Sequence, residues 1–408
     1  MFLLHSRWKS APQVGQTAVI VWAIALIVVA IRVLLAPITS GSVFPVYSAA
    51  ANWWVAGEDL YTLDFTKHCY RYQPVVAVSF VPWAALPLKF AALLWRGLGV
   101  ALLLFGVRAW MRRIAPRPLS PSQQGIALIL LAPLAFQSIN NAQVNVHLLG
   151  LLLLGLAAAS RERWTLAAFL VAIATFFKLY PIAVGLLLVV VHPRQFAPRY
   201  FLMLLIGSAL PFLTQRFDYV CGQYELWVRY LHIDNRLTGA IDQAPRDLYL
   251  LLRVWFVAPP LIVYQIIQAG AALLIAIICH LLRRRGVPIQ VLYSTILNLG
   301  CLWMTLLGPS TESSTYTLLG VTAASMALLS AGRSRLINVL AWIGIALLSL
   351  PAIVVMFPGG KIVQYWGPQP AGALLLLIVV LADLYPFLRY RSSAFSLPYE
   401  ERERIGNP

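Results

Sequence analysis

Apolar runs of helical length, separated by short polar connections, recur along this chain from Thr17 to Leu388. They predict helices at about 17–36, 88–109, 124–138, 146–160, 164–180, 181–193, 200–213, 254–281, 289–308, 316–331, 335–356 and 370–388. Several are shorter than the roughly 20 residues of a straight membrane span. The stretch 74–109 has two readings. It holds two helices, or one helix preceded by a short segment, Val75 to Leu86, that dips into the membrane.

Basic residues decide between them. Arg7 and Lys9 precede the first run, and Arg108, Arg112, Arg113 and Arg117 follow 88–109. Further clusters fall at Arg161/Arg163, Arg194/Arg199, Arg283–Arg285, Arg333/Arg335 and Arg389/Arg391. If 74–109 crosses once, every cluster lies on one side; if it crosses twice, the positive-inside pattern fails for each later loop. The expectation is therefore twelve crossings with both termini cytoplasmic.

Composition sharpens this reading. The chain is 60% hydrophobic and 11% charged, against about 25% charged residues in soluble domains, so its solvent is lipid. A net charge of +17 raises nucleic acid as a partner. The basic residues form neither one face nor a tail, however, and scattered clusters beside apolar runs suit cytoplasmic loops at anionic lipid. No nucleic-acid partner is expected. The run Thr17 to Ala36 is too long for a signal-peptide core and lacks a small-residue cleavage site, so it reads as a retained first helix.

The opposite face then receives loops at about 37–73, 139–146, 214–253 and 308–316, with a cytoplasmic tail at 389–408. Nine of the fourteen acidic residues fall on that face: Glu58, Asp59, Asp64, Asp218, Glu225, Asp234, Asp242, Asp247 and Glu312. Polar, aromatic-rich loops gathered on one face of a helical scaffold read as a site, or as ordinary solvated loops. The sequence contains no Gly-rich phosphate loop and no metal-spaced Cys/His set, so neither cofactor nor metal is expected. Cys279 and Cys301 read as small apolar residues. Cys69 and Cys221 share the outer face, where an oxidising compartment would permit a bridge.

Three passages carry a resemblance. The first is Pro45-Val46-Tyr47-Ser48-Ala49-Ala50 with Trp54-Val55-Ala56-Gly57-Glu58-Asp59-Leu60-Tyr61 and Tyr70-Arg71-Tyr72-Gln73-Pro74. The second is Asn141-Ala142-Gln143-Val144-Asn145, and the third Phe177-Lys178-Leu179-Tyr180-Pro181. In this order they resemble the family 87 glycosyltransferases, polyprenol-phosphate-mannose-dependent membrane enzymes of the GT-C type. The likeness spans about 17–210 and loosens toward Gly308-Pro309-Ser310 and Tyr316. It implies one all-α integral membrane domain over 1–408, a polytopic helical bundle of GT-C type with polar outer loops. It implies a hexosyltransferase taking a mannose-like sugar from a polyprenyl-phosphate donor, with a lipid or glycan acceptor on the outer face of the cell membrane. The family's general base is an Asp four residues before the first-loop Tyr. Here that Tyr is Tyr47, and the matching position is Val43. Either another acid serves, or the chemistry is altered or lost.

Sugar transfer from a phosphate-linked donor needs a base for the acceptor hydroxyl and cations for the departing phosphate. Asp59 is the leading candidate base, with Glu58 beside it; Gly57-Glu58-Asp59-Leu60 reads equally as a helix stop and solvated turn. Arg71, Lys178 and Arg246 are the candidate phosphate ligands. Arg71 also suits an interfacial Arg snorkelling to headgroups, and Lys178 a cation at its own helix C-terminus. Asn141, Gln143 and Asn145, with Asn140, place amides that bond sugar hydroxyls or neighbouring helices. Glu312 and Tyr316 suit acceptor contacts, or Glu312 pairs with Lys178. Asp247 suits a helix cap.

A flippase of lipid-linked glycan and a non-catalytic glycolipid binder are the competing readings. A transporter should show paired half-sequences and charges at helix midpoints. This chain shows no matching halves, and its charges sit at helix ends. A reporter fused after Pro408 should read cytoplasmic, and a periplasmic signal would overturn the charge-based topology.

Overall fold

The computed structural model describes residues 12–37, 41–61, 70–233, 236–330, 333–355 and 357–389. Every regular element among them is helical. The first five α-helices are α1 (Gln13–Leu35), α2 (Phe44–Ala56), α3 (Pro74–Ala84), α4 (Leu88–Arg113) and α5 (Pro121–Asn140). Then come α6 (Asn145–Ala159), α7 (Trp164–Phe177), α8 (Ile182–Val191), α9 (Ala197–Ala209), α10 (Phe217–Ile233) and α11 (Leu248–Trp255). The last are α12 (Leu261–Arg284), α13 (Ile289–Leu306), α14 (Gly320–Ser330), α15 (Arg335–Val354) and α16 (Pro368–Arg389), with 3-10 helices at Leu210–Leu213, Ser313–Leu319 and Gly360–Trp366.

Seven helices, α1, α4, α5, α12, α13, α15 and α16, are long and apolar enough to cross a membrane. The chain is thus a polytopic helical membrane protein. Burial separates its helices. Fourteen of the fifteen residues of α6 are buried, so this helix, apolar all round, is the axis of the bundle. On α1 only Ala18, Trp22, Val29 and Val33 are buried, and on α12 only Tyr264, Cys279 and Leu282. Their remaining apolar side chains form a lipid-facing surface.

Contacts between helix ends sort the bundle into two poles. At one, Arg285 bonds the Phe387 carbonyl, Ser294 bonds the Ile114 carbonyl, Arg333 pairs with Asp383 and Tyr293 meets His192. At the other, Lys89 bonds the Leu34 carbonyl, Tyr264 the Leu306 carbonyl and Gln369 the Ser313 carbonyl. Helices α4, α12, α13 and α16 have an end at each pole, and the helices at Asn145–Ala159, Trp164–Phe177, Ile182–Val191 and Ala197–Leu213, also expected as crossings, are apolar but shorter. Helix α3 does not link the poles. Its eleven residues extend about 16 Å at 1.5 Å per residue, short of a hydrocarbon core of roughly 30 Å. It starts beside Gln73 and hands over through 85–87 to α4, whose Lys89 lies at the same pole.

Three helices form inside segments expected as loops. Helix α2 starts with Pro45 in its first turn and ends at Gly57, which takes the left-handed conformation at φ 74°. The amphipathic α10 buries Val220, Gln223 and Tyr230 and leaves Phe217, Val228 and Ile233 exposed. Asp247 caps α11 by accepting from the Leu250 amide at 3.1 Å. The expected crossing at 316–331 begins as the 3-10 turn Ser313–Leu319 before continuing as α14. Cys69, Asp64 and Asp234 lie outside the described residues, and with Cys69 the Cys69–Cys221 bridge; Cys221 is exposed on α10.

Close helix approach rests on glycines. A Cβ on Gly150 of α6 would lie 2.5 Å from the Leu102 backbone of α4, and one on Gly372 of α16 would lie 2.6 Å from the Gly344 carbonyl oxygen of α15. Gly150→Ala should therefore cost about 1–3 kcal/mol through backbone displacement. Gly97→Ala, where a Cβ meets nothing within 4 Å, should cost nothing. Thermal melts in detergent that rank the two variants equally would contradict this packing.

Candidate active site

The turn between α5 and α6 is the point from which the site is built. Ser120 and Gln123 form a capping box at the start of α5, and its far end runs into Asn140-Asn141-Ala142-Gln143. Ala142 sits at φ 54°, a left-handed conformation costing a non-glycine residue about 1–2 kcal/mol. Asn145 then begins α6. Such strain persists only where the surroundings over-determine it.

Two side chains of this turn reach opposite charges. Gln143 donates to the Glu312 carboxylate at 2.7 Å. Asn145 is fully buried; its Oδ1 accepts from Lys178 Nζ at 3.1 Å and from the Tyr180 hydroxyl at 2.9 Å, and its Nδ2 donates to Ser314 Oγ at 3.2 Å. Lys178 also lies 5.5 Å from the Tyr180 ring centre. It is the extended residue that ends α7, just before Pro181, so the chain break aims its ammonium into the interior.

Of these groups Gln143, Glu312 and Ser314 border a polar cleft of about 520 Å³, lined also by Arg71, Gln137, Asn141 and Arg236, with Lys178, Asn145 and Tyr180 behind it. Arg71 donates to the Tyr230 hydroxyl at 3.2 Å, and Tyr72 beside it bonds Tyr47 at 2.8 Å. The first-loop Tyr is thereby tied to the arginine. Val43 donates its amide to the Asn141 carbonyl at 3.0 Å, so the position where the family resemblance places an acid stands against the amide turn and supplies no carboxylate. Gln137 and Ser313 line the cleft, and among the described residues the buried Gln137 Oε1 and Ser313 hydroxyl find no partner.

Arg71, Arg236 and Arg246 line the cleft with two acids, Asp242 and Glu312, and titration behaviour follows. Burial alone would raise the Glu312 carboxyl, but Lys178, Arg236, the bond from Gln143 and Arg71 outweigh it and hold the group below the usual carboxylate range. Lys178 is lowered by burial, against which Glu312 pulls upward while Arg236 and Arg71 add to the lowering.

Several site expectations find other surroundings. Asp59 and Glu58 are exposed and border no part of the cleft. Asp59 accepts from Gln223 at 2.7 Å, Gln223 accepts from the Leu60 amide at 2.9 Å, and the Tyr219 hydroxyl donates to the Glu58 carbonyl. The left-handed turn at Gly57 sends the chain onto α10, away from the cleft. Arg246 borders the cleft, but its guanidinium donates at 2.8 Å to the Ile241, Ala244 and Asp242 carbonyls and stacks 4.9 Å from the Tyr365 ring. It locks its own loop. Tyr316 is fully buried and bonds the Arg246 carbonyl at 2.7 Å, while the Arg246 amide bonds the Thr311 carbonyl at 2.6 Å. These bonds clamp the long loop to the segment that carries Glu312.

Arg236 and Arg96 escaped the sequence reading. Arg236 sits in a loop with no local pattern. Arg96 did carry a signal, an ionisable residue inside the apolar run of α4, which costs about 2.5–3.5 kcal/mol at a helix centre unless it is satisfied. Among the described residues no group of three His, Cys, Asp or Glu side chains gathers to hold a metal.

A helical membrane bundle with a cationic, amide-rich cleft at one pole defines the class, and comparison with known proteins gives the family. Residues 70–309 match the profile of glycosyltransferase family 87. The match covers more than half of the chain, which therefore belongs to glycosyltransferase family 87 and is a membrane glycosyltransferase. It takes in Arg71, the amide turn, Lys178 and Arg236, and stops three residues before Glu312. No curated protein matches the chain.

Asp247 offers a test of the clamp. Its carboxyl is pushed up to about 7 by burial, which the Leu250 and Tyr249 amides and Arg246 only partly offset. Such a group holds its proton in the folded state after the unfolded chain has lost it. Stability is greatest below the unfolded value near 4 and falls as pH rises toward 7. The detergent-solubilised protein should lose thermal stability between about pH 5 and pH 8. Asp247→Asn, which keeps the cap, should abolish most of that loss; an unchanged slope would exclude Asp247 as its source.

Proposed function

We propose that this protein transfers a hexose from a polyprenyl-phosphate donor to a hydroxyl acceptor at the outer face of the cell membrane, with Glu312 as general base. The observation that carries this reading is one ionised carboxylate, held by Gln143, facing the same cleft as Arg71 and Arg236 and coupled electrically to Lys178. Both termini lie in the cytoplasm, and the chain acts as one polytopic domain.

The chemistry runs as a single displacement. Glu312 takes the proton of the acceptor hydroxyl as its oxygen bonds the anomeric carbon. The bond from that carbon to the donor phosphate oxygen breaks, and the electron pair leaves on the phosphate. Arg71, Arg236 and Lys178 hold the charge that develops there. Donor binding also serves the base. A phosphate that neutralises those cations removes the influence that depresses the Glu312 carboxyl, and so raises its basicity when the acceptor is present. Gln137 Oε1, an acceptor without a partner among the described residues, suits a donor hydroxyl, which a sugar supplies and an ionised phosphate does not.

Purified protein incubated with labelled polyprenyl-phosphate-mannose and a membrane lipid extract should transfer label to an acceptor. Loss of a general base costs a factor of about 10²–10⁴ in rate. Glu312→Gln should show that loss with donor binding nearly intact, and Asp59→Asn should stay near the parent rate. The reverse ranking would return the base to the first loop. No transfer by the parent protein would favour a glycolipid binder or flippase.

A further inference from the structure

We infer that Arg96, deep in α4, is a positioning residue: it fixes the strained turn between α5 and α6 and, through it, the Glu312 and Lys178 side chains. Its kinetic consequence rests on the activity proposed above, while its structural half is testable without it.

The argument starts from carbonyl groups at a helix end. The last carbonyls of α5 have no partner within the helix. The carbonyls of its last two residues and of the first two residues of the turn are met by α4 and by Val43, the Ile139 carbonyl also accepting from the Ala142 amide at 3.1 Å. Arg96 Nε donates to the Ile139 carbonyl at 3.0 Å, and Arg96 Nη2 to the Asn140 carbonyl at 2.9 Å. The Val43 amide takes the Asn141 carbonyl at 3.0 Å, and Trp95 Nε1 the Ala142 carbonyl at 3.2 Å. Arg96 also donates to the Ala92 carbonyl at 2.9 Å and to Ser42 Oγ at 3.3 Å. Among the described residues no carboxylate pairs with it. Its charge is met by carbonyl dipoles at the negative end of α5, and it leaves no donor aimed at the cleft.

The left-handed Ala142 closes the end of α5 locally, with its amide on the Ile139 carbonyl at 3.1 Å and the Gln143 amide on the Ser138 carbonyl at 2.8 Å, and Arg96 and Trp95 fix that closed turn against α4. Its product is the placement of two side chains, Gln143 on Glu312 and Asn145 on Lys178. The neighbour Trp95 reinforces the grip from α6: its carbonyl accepts from His147 Nε2 at 3.1 Å, and its ring stacks on the imidazole at 3.9 Å between centres. Lysine cannot reproduce the forked donation to adjacent carbonyls.

Amide hydrogen exchange of the detergent-solubilised full chain tests the structural half. Arg96→Gln should speed exchange in peptides covering 138–147 by at least about tenfold, with peptides from α12 and α15 unchanged. Unchanged exchange at 138–147, or a uniform rise along the chain, overturns the inference. Kinetics with labelled polyprenyl-phosphate-mannose test the rest. Arg96→Gln should lower kcat by about 30-fold with donor KM within about threefold, and Arg96→Lys should recover only part of it. Added to Gln143→Ala, Arg96→Gln should cost clearly less than the loss of about 30-fold it causes alone, because the two share the Gln143–Glu312 contact while the Asn145–Lys178 contact remains to be lost. Fully additive losses, or full recovery by lysine, overturn it. If the parent protein transfers nothing, the proposed activity fails and exchange alone judges the positioning role. If Arg96→Gln does not fold, Ser42→Ala and Trp95→Phe carry the exchange measurement, with the same two outcomes.

Discussion

Inside hydrocarbon a polar group must find its partner within the chain, because there is no water to supply one. This constraint arranges the molecule. It drives the central helix α6 to be apolar over nearly its whole length and leaves its polar residues, Asn145 and His147, in the first turn. It sends the Asn140 carbonyl at the end of α5 to Arg96 and the Ala142 carbonyl of the following turn to Trp95. It turns the break between α7 and α8 into a place where a lysine can sit, held by an amide and a tyrosine ring. The polar cleft is thus the common meeting point of helix ends that each needed partners.

Charge at that meeting point is mixed, with Arg71, Arg236 and Arg246 lining the cleft beside Asp242 and Glu312. Arg71, Arg236 and Lys178 act on one carboxylate, Glu312, and hold it ionised. The opposite pole spends its charge differently. There Arg333 meets Asp383, and Arg285 meets the Phe387 carbonyl. These bonds join helix ends and border no part of the amide-rich cleft.

Local pattern was a poor guide where a residue's role depends on which way the chain turns. Asp59 and Arg71 share a loop in sequence, yet the left-handed turn at Gly57 lays Asp59 against Gln223 while Arg71 faces the cleft. Arg246 has the chemistry of a phosphate ligand, but three carbonyls of its own loop take its donors. Glu312 lies 169 positions from Gln143 along the chain, and no spacing rule joins them.

From the sequence alone came the helical membrane class, its long apolar helices and the family, because hydropathy, basic clusters and short motifs are read locally. The amides of Asn141–Asn145 and the cations Arg71 and Lys178 were legible as candidates for the same reason. Only tertiary structure decided which of them meet. The pairing of Gln143 with Glu312, the exclusion of Asp59 and the entry of Arg236 depend on helix packing across long separations. So does the burial of Arg96, whose cost in lipid is offset only by carbonyls that a different helix brings to it.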